Sequence, residues 1–274
     1  PREAFAGRPE HDPRVHRQYV ANMNGMARAM EQLASGLRIN RAADDPAGLA
    51  ISERMRAQIR GLRQAQRNAQ DGISLLQVAE GALNESHAIL QRIRELAVQA
   101  ASDTYSDEDR QHIQDEIDQL LDELTRIAES TEFNTMPLLD GSFTGKRIHV
   151  GANAGQYIEV SMDDMRAEAL GLGGLSVLIR ADADAAIGLV DDAIRAVSSQ
   201  RSSMGALQNR LEHTINNLAT TAENLQAAES RIRDADIAQA MMEFVRYQIL
   251  TQVSVAVMAQ ARASAQAVLR LLWP

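Results

Sequence analysis

The chain has 274 residues, 45% of them hydrophobic but only 3% aromatic, a formal net charge of −9 and no cysteine. That length serves one or two ordinary domains, and the missing cysteines exclude disulfides, thiol catalysis and cysteine-based zinc sites. The acidic balance argues against a nucleic-acid-binding surface. A chain poor in Phe, Tyr and Trp but rich in Ala, Leu, Gln, Arg and Glu reads as long helices packed side by side.

Residues 1–20 hold no continuous apolar run, so no cleavable signal peptide is expected. Pro1, Gly7, Pro9 and Pro13 discourage helix through most of the first sixteen residues. The segment SGLRINRAADDPAGLA (Ser35 to Ala50) is a polar joint between two apolar-periodic stretches. Asp45 before Pro46 reads as a helix N-cap with proline at the first helical position. From there a helix is predicted over Pro46–Ala100, roughly 80 Å long at a rise of 1.5 Å per residue. Steps of seven from Met55 meet Leu62, Ala69, Leu76, Leu83, Leu90 and Ala97, all apolar, which is a coiled-coil seam.

Ser106 is placed to cap a second helix, with Asp107, Glu108 and Asp109 in its first turn, where negative charge suits the helix dipole. Ile113, Ile117, Leu120, Leu124 and Ile127 form its apolar face, and the short Ser102–Tyr105 turn folds it back antiparallel. Between Thr131 and Gly174 the glycines cluster and the period drops towards two. Ile148 and Val150, then Tyr157, Ile158 and Val160, flank a turn at Gly151–Gln156 and read as a hairpin. A second row of sevens then runs through Val190, Val197, Met204, Leu211, Leu218, Leu225 and Ile232. With no glycine or proline between Ala206 and Trp273, the C-terminal third is predicted as nearly continuous helix. Phe244–Met258 is too short, and too interrupted by Arg246, Gln248 and Gln252, to span a membrane. The two terminal arms must pair with each other or with neighbouring molecules. The expected fold is mainly α: long antiparallel coiled-coil helices from both chain ends with a small β-hairpin region in the middle.

Catalytic chemistry finds no foothold. His11, His16, His87, His112, His149 and His213 never share the spacing of a zinc-binding helix, and GSFTGKR (Gly141 to Arg147) has one residue too few for a phosphate loop. Asp234 and Asp236 read as surface ion-pair partners inside a helix, and His87 and His213 as solvated helix positions. No catalytic, cofactor-binding or metal-ligating set is assigned, and the chain is read as a non-enzyme.

LASGLRINRAADDPAGLAISERMRAQIRGL (Leu33 to Leu62) resembles the N-terminal hallmark of the bacterial flagellin family, as do Gln66 to Glu85 and Leu90 to Leu124. TEFNT (Thr131 to Thr135) looks like its phenylalanine–asparagine turn, and Ile148 to Gln156 like its hairpin. Ser202 to Ala238 and Tyr247 to Ala261 match its C-terminal pattern. Two departures stand out: prolines where the family begins with an amphipathic helix, and Arg262 and Ala265 where it usually carries asparagine and proline.

The resemblance implies an inner coiled-coil domain of residues 1–34 plus 236–274, a spoke linker over 35–46 and an outer rod domain over 47–235, with its β region about 131–175. It implies a minimal form without large outer variable domains, since Gly171 to Ile187 leads straight back into helix. The function implied is a structural subunit that self-assembles into the flagellar filament, the propeller for swimming. A hook–filament junction protein of the same family is the alternative. Arg38, Asn40, Arg41, Asp44 and Asp45 are the expected spoke and inter-subunit contacts. Gln91, Arg92, Leu96 and Glu116 fit a segment recognised by Toll-like receptor 5 of a host. The implied partners are further copies in a homo-polymer, an export chaperone and the flagellar type III export apparatus, and the filament cap and hook-associated proteins, with no nucleic acid and no membrane insertion. The implied location is the extracellular filament, reached without a cleaved signal peptide. The terminal arms are expected to order on assembly, because most of their burial comes from neighbours.

Overall fold

A computed structural model describes residues 13–272. In chain order the elements are α1 (Pro13–Ser35), α2 (Pro46–Ala100), α3 (Asp107–Ser130), β1 (Glu132–Phe133), β2 (Met136–Pro137), β3 (Lys146–His149), β4 (Tyr157–Val160), α4 (Arg180–Arg233) and α5 (Ile237–Leu272). The chain is thus mainly α, with two small antiparallel hairpins in the middle. It divides into two compact units, one of residues 1–57 and 224–274, the other of 58–223.

Within residues 58–223, α2 and α4 run antiparallel: Gln208 Nε2 donates to Glu80 at 3.1 Å, and Arg94 pairs with Asp191 further along α2. Both rows of sevens turn inward. Ala69, Leu76, Leu83, Leu90 and Ala97 of α2 meet Val190, Val197, Met204 and Leu211 of α4 in one core, completed by Ile113, Ile117 and Leu124 of α3. The start of α3 follows from local chemistry. The Ser106 hydroxyl accepts from the Asp109 N–H, and the Asp109 carboxylate accepts from the Ser106 N–H, a reciprocal capping box. Buried Arg110 then secures the turn, donating from Nε to the Ala100 carbonyl at 3.0 Å and from Nη2 to the Ser102 carbonyl at 3.2 Å.

The β region packs on this core through regular pairing and a side-chain clamp. The turn joining β1 and β2 places both Asn134 (φ 50) and Thr135 (φ 61) in the left-handed region, as the type I′ form of a two-residue hairpin loop requires. Asparagine tolerates that backbone; a β-branched threonine is strained there. β3 and β4 pair from Lys146↔Val160 to His149↔Tyr157, so Val150, expected in the first strand, lies in the turn. Gly72 on α2 leaves room for this hairpin, since a Cβ there would sit 2.5 Å from the Ile148 side chain. Residues 161–179 then return to α4. Gln114 of α3 holds them like a neighbouring strand, its amide donating to the Leu175 carbonyl at 2.9 Å and accepting from the Val177 N–H at 2.8 Å.

Within residues 1–57 and 224–274, α1 packs against α5. Gly25 makes their close approach possible: a Cβ there would fall 2.5 Å from the Tyr247 ring. Buried Asn22 donates to Ser254 Oγ at 3.2 Å, a polar pair joining the two helices. In the same unit α2 is tied to α4 by Arg56–Glu229 at 2.9 Å and Glu53–Arg233 at 2.7 Å. Pro13 opens α1 at the first helical position, where its missing N–H costs nothing. The prolines and glycine at 1, 7 and 9, and the side chains of Arg262 and Ala265, fall outside the described residues.

The expectation of nearly continuous helix after Ala206 fails at one place. Helix α4 ends at Arg233 and α5 begins at Ile237. No glycine or proline marks the break. Asp236 makes it, its Oδ1 accepting from the N–H groups of Ala238 at 2.9 Å and Gln239 at 3.1 Å, which is an N-cap rather than the expected ion pair. Asp234 likewise takes a hydroxyl hydrogen bond from Ser230.

Candidate functional site

The break between α4 and α5 has a partner in the polar joint. Leu37 and Asp234 form an isolated antiparallel bridge. The Arg38 N–H donates to the Arg233 carbonyl at 2.7 Å, and the Ala235 N–H to the Gly36 carbonyl at 2.9 Å. The Arg38 guanidinium reaches the Ile232 carbonyl as well. These bonds satisfy carbonyls that the end of a long helix leaves without partners.

The other joint residues organise the chain around the start of α2. Asp45 Oδ1 accepts from the N–H groups of Ala47 at 3.1 Å and Gly48 at 2.9 Å, so the expected cap is formed. Asp44 Oδ2 accepts from the Arg41 N–H at 3.0 Å and the Asn40 N–H at 3.3 Å. The bond from the Arg41 backbone, ahead of other influences, holds the Asp44 carboxyl below its ordinary value. Asn40 donates to Ser35 Oγ at 2.8 Å, and Arg41 pairs with Glu31 of α1 at 2.9 Å. Beneath them Ile39 is buried, and a pocket of about 260 Å³ opens beside Arg28, Arg38 and Asp44. All five joint residues therefore have partners within the chain, while the Arg41 side chain stays 72% exposed.

The receptor-segment residues separate into two settings. Arg92 pairs with Glu116 across α2 and α3 at 2.9 Å, and Gln91, one turn from His87 on α2, bonds that histidine's Nε2 at 2.9 Å. Leu96 lies underneath, 2% exposed in the core. His87 is more enclosed than a solvated position, since its Nδ1 is buried without a partner. The near phosphate loop carries no cradle: Lys146 and Arg147 enter β3, and the Arg147 guanidinium lies over the Tyr157 ring at 4.3 Å. Among the described residues, no group of three or more His, Asp or Glu is placed to hold a metal ion.

A continuous exposed apolar ridge lies on α5. Ile237, Met241, Val245, Ile249, Val253 and Val257 recur every fourth residue and are all exposed, with Met242 beside them at 67%. An i, i+4 ridge of this kind interdigitates with the ridge of a neighbouring helix. Apolar residues stand on every side of α5, between polar ones such as Arg246, Gln248 and Gln252. Such a helix is suited to burial on more than one side, and among the described residues it is the face towards α1 that is covered. The sequence carries this signal in Phe244–Met258, where apolar residues on every face, rather than spanning length, are the informative feature. Among the described residues no helix is long and apolar enough to cross a membrane.

The chain is similar in sequence to known proteins. The bacterial flagellin N-terminal helical region matches residues 13–144, and the bacterial flagellin C-terminal helical region matches residues 187–272. A flagellin of Halalkalibacterium halodurans is 54% identical over 260 residues, covering 94% of this chain and 96% of that protein. The flagellar filament 31.3 kDa core protein of Treponema maltophilum is 48% identical over 269 residues, covering 92% and 94%. A hook-associated protein structure from Vibrio parahaemolyticus, 16% identical, covers 70% of this chain and 100% of its own with a TM-score of 0.59, a likeness of fold alone.

Proposed function

The chain belongs to the bacterial flagellin family, and we propose that it is the structural subunit of a flagellar filament, polymerising in many copies into the propeller used for swimming. With only residues 161–179 between β4 and α4, it is a minimal member without a large outer domain. The observation that carries the filament reading is the exposed ridge from Ile237 to Val257 on α5, which α1 leaves bare. Sister subunits are its natural cover, because apolar area removed from water is worth roughly 25 cal/mol per Å². The inner domain is taken as residues 1–34 plus 236–274, the outer rod as 47–235, and the spoke as 35–46, whose exposed Arg41 can reach a neighbour. The hook–filament junction is the weaker reading, since relatives covering most of the chain carry flagellin and filament-core names.

On this reading the subunit works outside the cell, delivered by the flagellar type III export apparatus with a chaperone and added beneath a distal cap. Toll-like receptor 5 of a host, if it reads this protein, meets the exposed Arg92–Glu116 pair with Gln91 beside it.

Seeded elongation followed by electron microscopy tests the filament role. Wild-type chain is expected to extend seeds. Ile249→Asp is expected to stop extension while moving the monomer's unfolding free energy by no more than about 0.5 kcal/mol, because Ile249 is already in water. Elongation by Ile249→Asp at the wild-type rate contradicts the assigned surface.

A further inference from the structure

The sulfur atoms of this protein are unevenly placed. With no cysteine in the chain, its 11 methionines are its only thioether or thiol sulfurs. In the unit of residues 58–223, Met162, Met165 and Met204 are sealed in the core at 1–2% exposure, while Met136 in the hairpin region is 38% exposed, and on α1 Met30 is 51% exposed. On α5 two exposed methionines stand side by side, Met241 at 49% and Met242 at 67%. They line an apolar surface pocket with Val245, Ile249 and Leu250, whose one charged member is Arg246.

We propose that Met241 and Met242 form an oxidation-sensitive modification site that controls whether the α5 face can be buried by another subunit. The proposal rests on the filament reading given above. The reagent class is a small two-electron oxidant, hydrogen peroxide. The thioether sulfur attacks one peroxide oxygen, an S–O bond forms and the O–O bond breaks. Sulfur gives up two electrons, and the departing hydroxide takes the proton of the transferred hydroxyl, so sulfoxide and one water result. The change converts a flexible apolar side chain into a polar one.

The consequence differs between free and assembled protein. In the free chain, water solvates the sulfoxide oxygen, and Arg246, one turn beyond Met242, offers an adjacent donor. Folding is then little affected, because neither methionine is in the core. In a subunit contact the same oxygen is enclosed by apolar neighbours, and a polar atom buried without a partner opposes association. Assembly in turn hides the sulfur from the oxidant. The site is therefore open to oxidation only before incorporation, and sulfoxide reductases acting with a thiol donor can reopen a blocked subunit.

The test treats full-length monomer and preformed filaments with dilute hydrogen peroxide, maps sulfoxide by peptide mass, and measures seeded elongation. In monomer, Met241 and Met242 are expected to oxidise well before Met162, Met165 and Met204, and in filaments they are protected. Oxidised monomer is expected to need a roughly tenfold or higher concentration to elongate, and treatment with sulfoxide reductase and thiol restores it. The double variant Met241→Leu/Met242→Leu, compared with its own untreated rate, is expected to lose most of the peroxide effect. Two outcomes overturn the proposal: monomer with sulfoxide at both positions elongating as fast as untreated protein, or a double variant as sensitive as wild type, which places the effect on another methionine such as Met30. Failure of untreated wild-type monomer to elongate seeds at all defeats the filament reading, and the proposal with it.

Discussion

Residues 58–223 and the unit of residues 1–57 with 224–274 use the same helical periodicity to opposite ends. In the first, the rows of sevens close on each other, and Leu76, Leu83, Leu90, Ile117, Leu124 and Leu172 are wholly removed from water. In the second, the described apolar residues that reach full burial are Ala29, Ile39 and Ala240, while α5 leaves its ridge from Ile237 to Val257 in solvent. A narrow apolar stripe finds enough partners within one chain. A helix with apolar residues on every face does not, and its surplus is the surface that the proposed filament contact would bury.

The largest effect that separates the two regions is expected in amide exchange. Opening free energies within one protein run from near zero to the global value of about 5–15 kcal/mol. In dilute monomer, α2 around Leu83 and α4 around Met204 are expected to exchange at the slow limit, and Met241 to Met258 orders of magnitude faster. Polymerisation is expected to bring that segment to the slow limit too. Strong protection of Met241 to Met258 in the dilute monomer erases the contrast.

Next in size is Leu83→Ala. Leu83 is fully buried between α2 and its neighbours, so the substitution removes methylene groups and leaves a cavity, at a cost of roughly 2–5 kcal/mol. Chemical denaturation monitored by circular dichroism is the measurement, and a loss below about 0.5 kcal/mol argues that the seam is less tightly packed than its burial indicates. This side of the comparison was legible from sequence because a seven-residue period, apolar at every step over six heptads, arises in little besides a packed helix seam. The capping box at Ser106 was equally readable, since Ser–x–x–Asp with a following apolar period is a local pattern.

The other side was less legible, for reasons that particular residues make clear. The break at Asp234–Asp236 carries no glycine or proline, and an aspartate inside a long polar stretch fits a helix surface as easily as a cap. What selects the cap is the bridge to Leu37, made by a segment almost two hundred residues earlier, which no local window contains. The joint could be seen to need specific polar residues, but not that Arg38 spends its hydrogen bonds on the end of α4. The Asn134–Thr135 turn was recognisable only through resemblance, since threonine is a poor signal for positive φ.

Capping changes come next. Asp45→Ala and Asp236→Ala each remove a carboxylate that holds two helix N–H groups, an expected loss of about 0.5–2 kcal/mol apiece. The two are also expected to differ in kind. Asp45→Ala loosens the start of α2, whereas Asp236→Ala releases the start of α5 and lets α4 run on as helix, lowering elongation more than stability. Parallel denaturation and seeded-growth measurements on both variants resolve this, and equal effects on elongation count against a special role for the break.

The smallest expected effect is the pH response of Asp44. Its carboxyl lies below the ordinary value of 3.8, first because the Arg41 backbone N–H donates to the charged form. A folded value below the unfolded one means that the stabilisation is fully present above the unfolded value and is lost as pH falls through the folded value. The joint is therefore expected to hold from neutrality to about pH 5 and to loosen only in more acid solution. The effect is modest because the carboxylate is exposed and screened by water. Protection factors of the Asn40 and Arg41 amides, corrected for intrinsic exchange, are the readout. They are expected to fall between about pH 5 and about pH 3 in wild type, and to be low and nearly level in Asp44→Asn, whose neutral amide oxygen is the weaker acceptor. A wild-type profile that stays level across that range separates the order of the joint from the Asp44 charge, and leaves its stability to Asp45 and the bridge at Leu37.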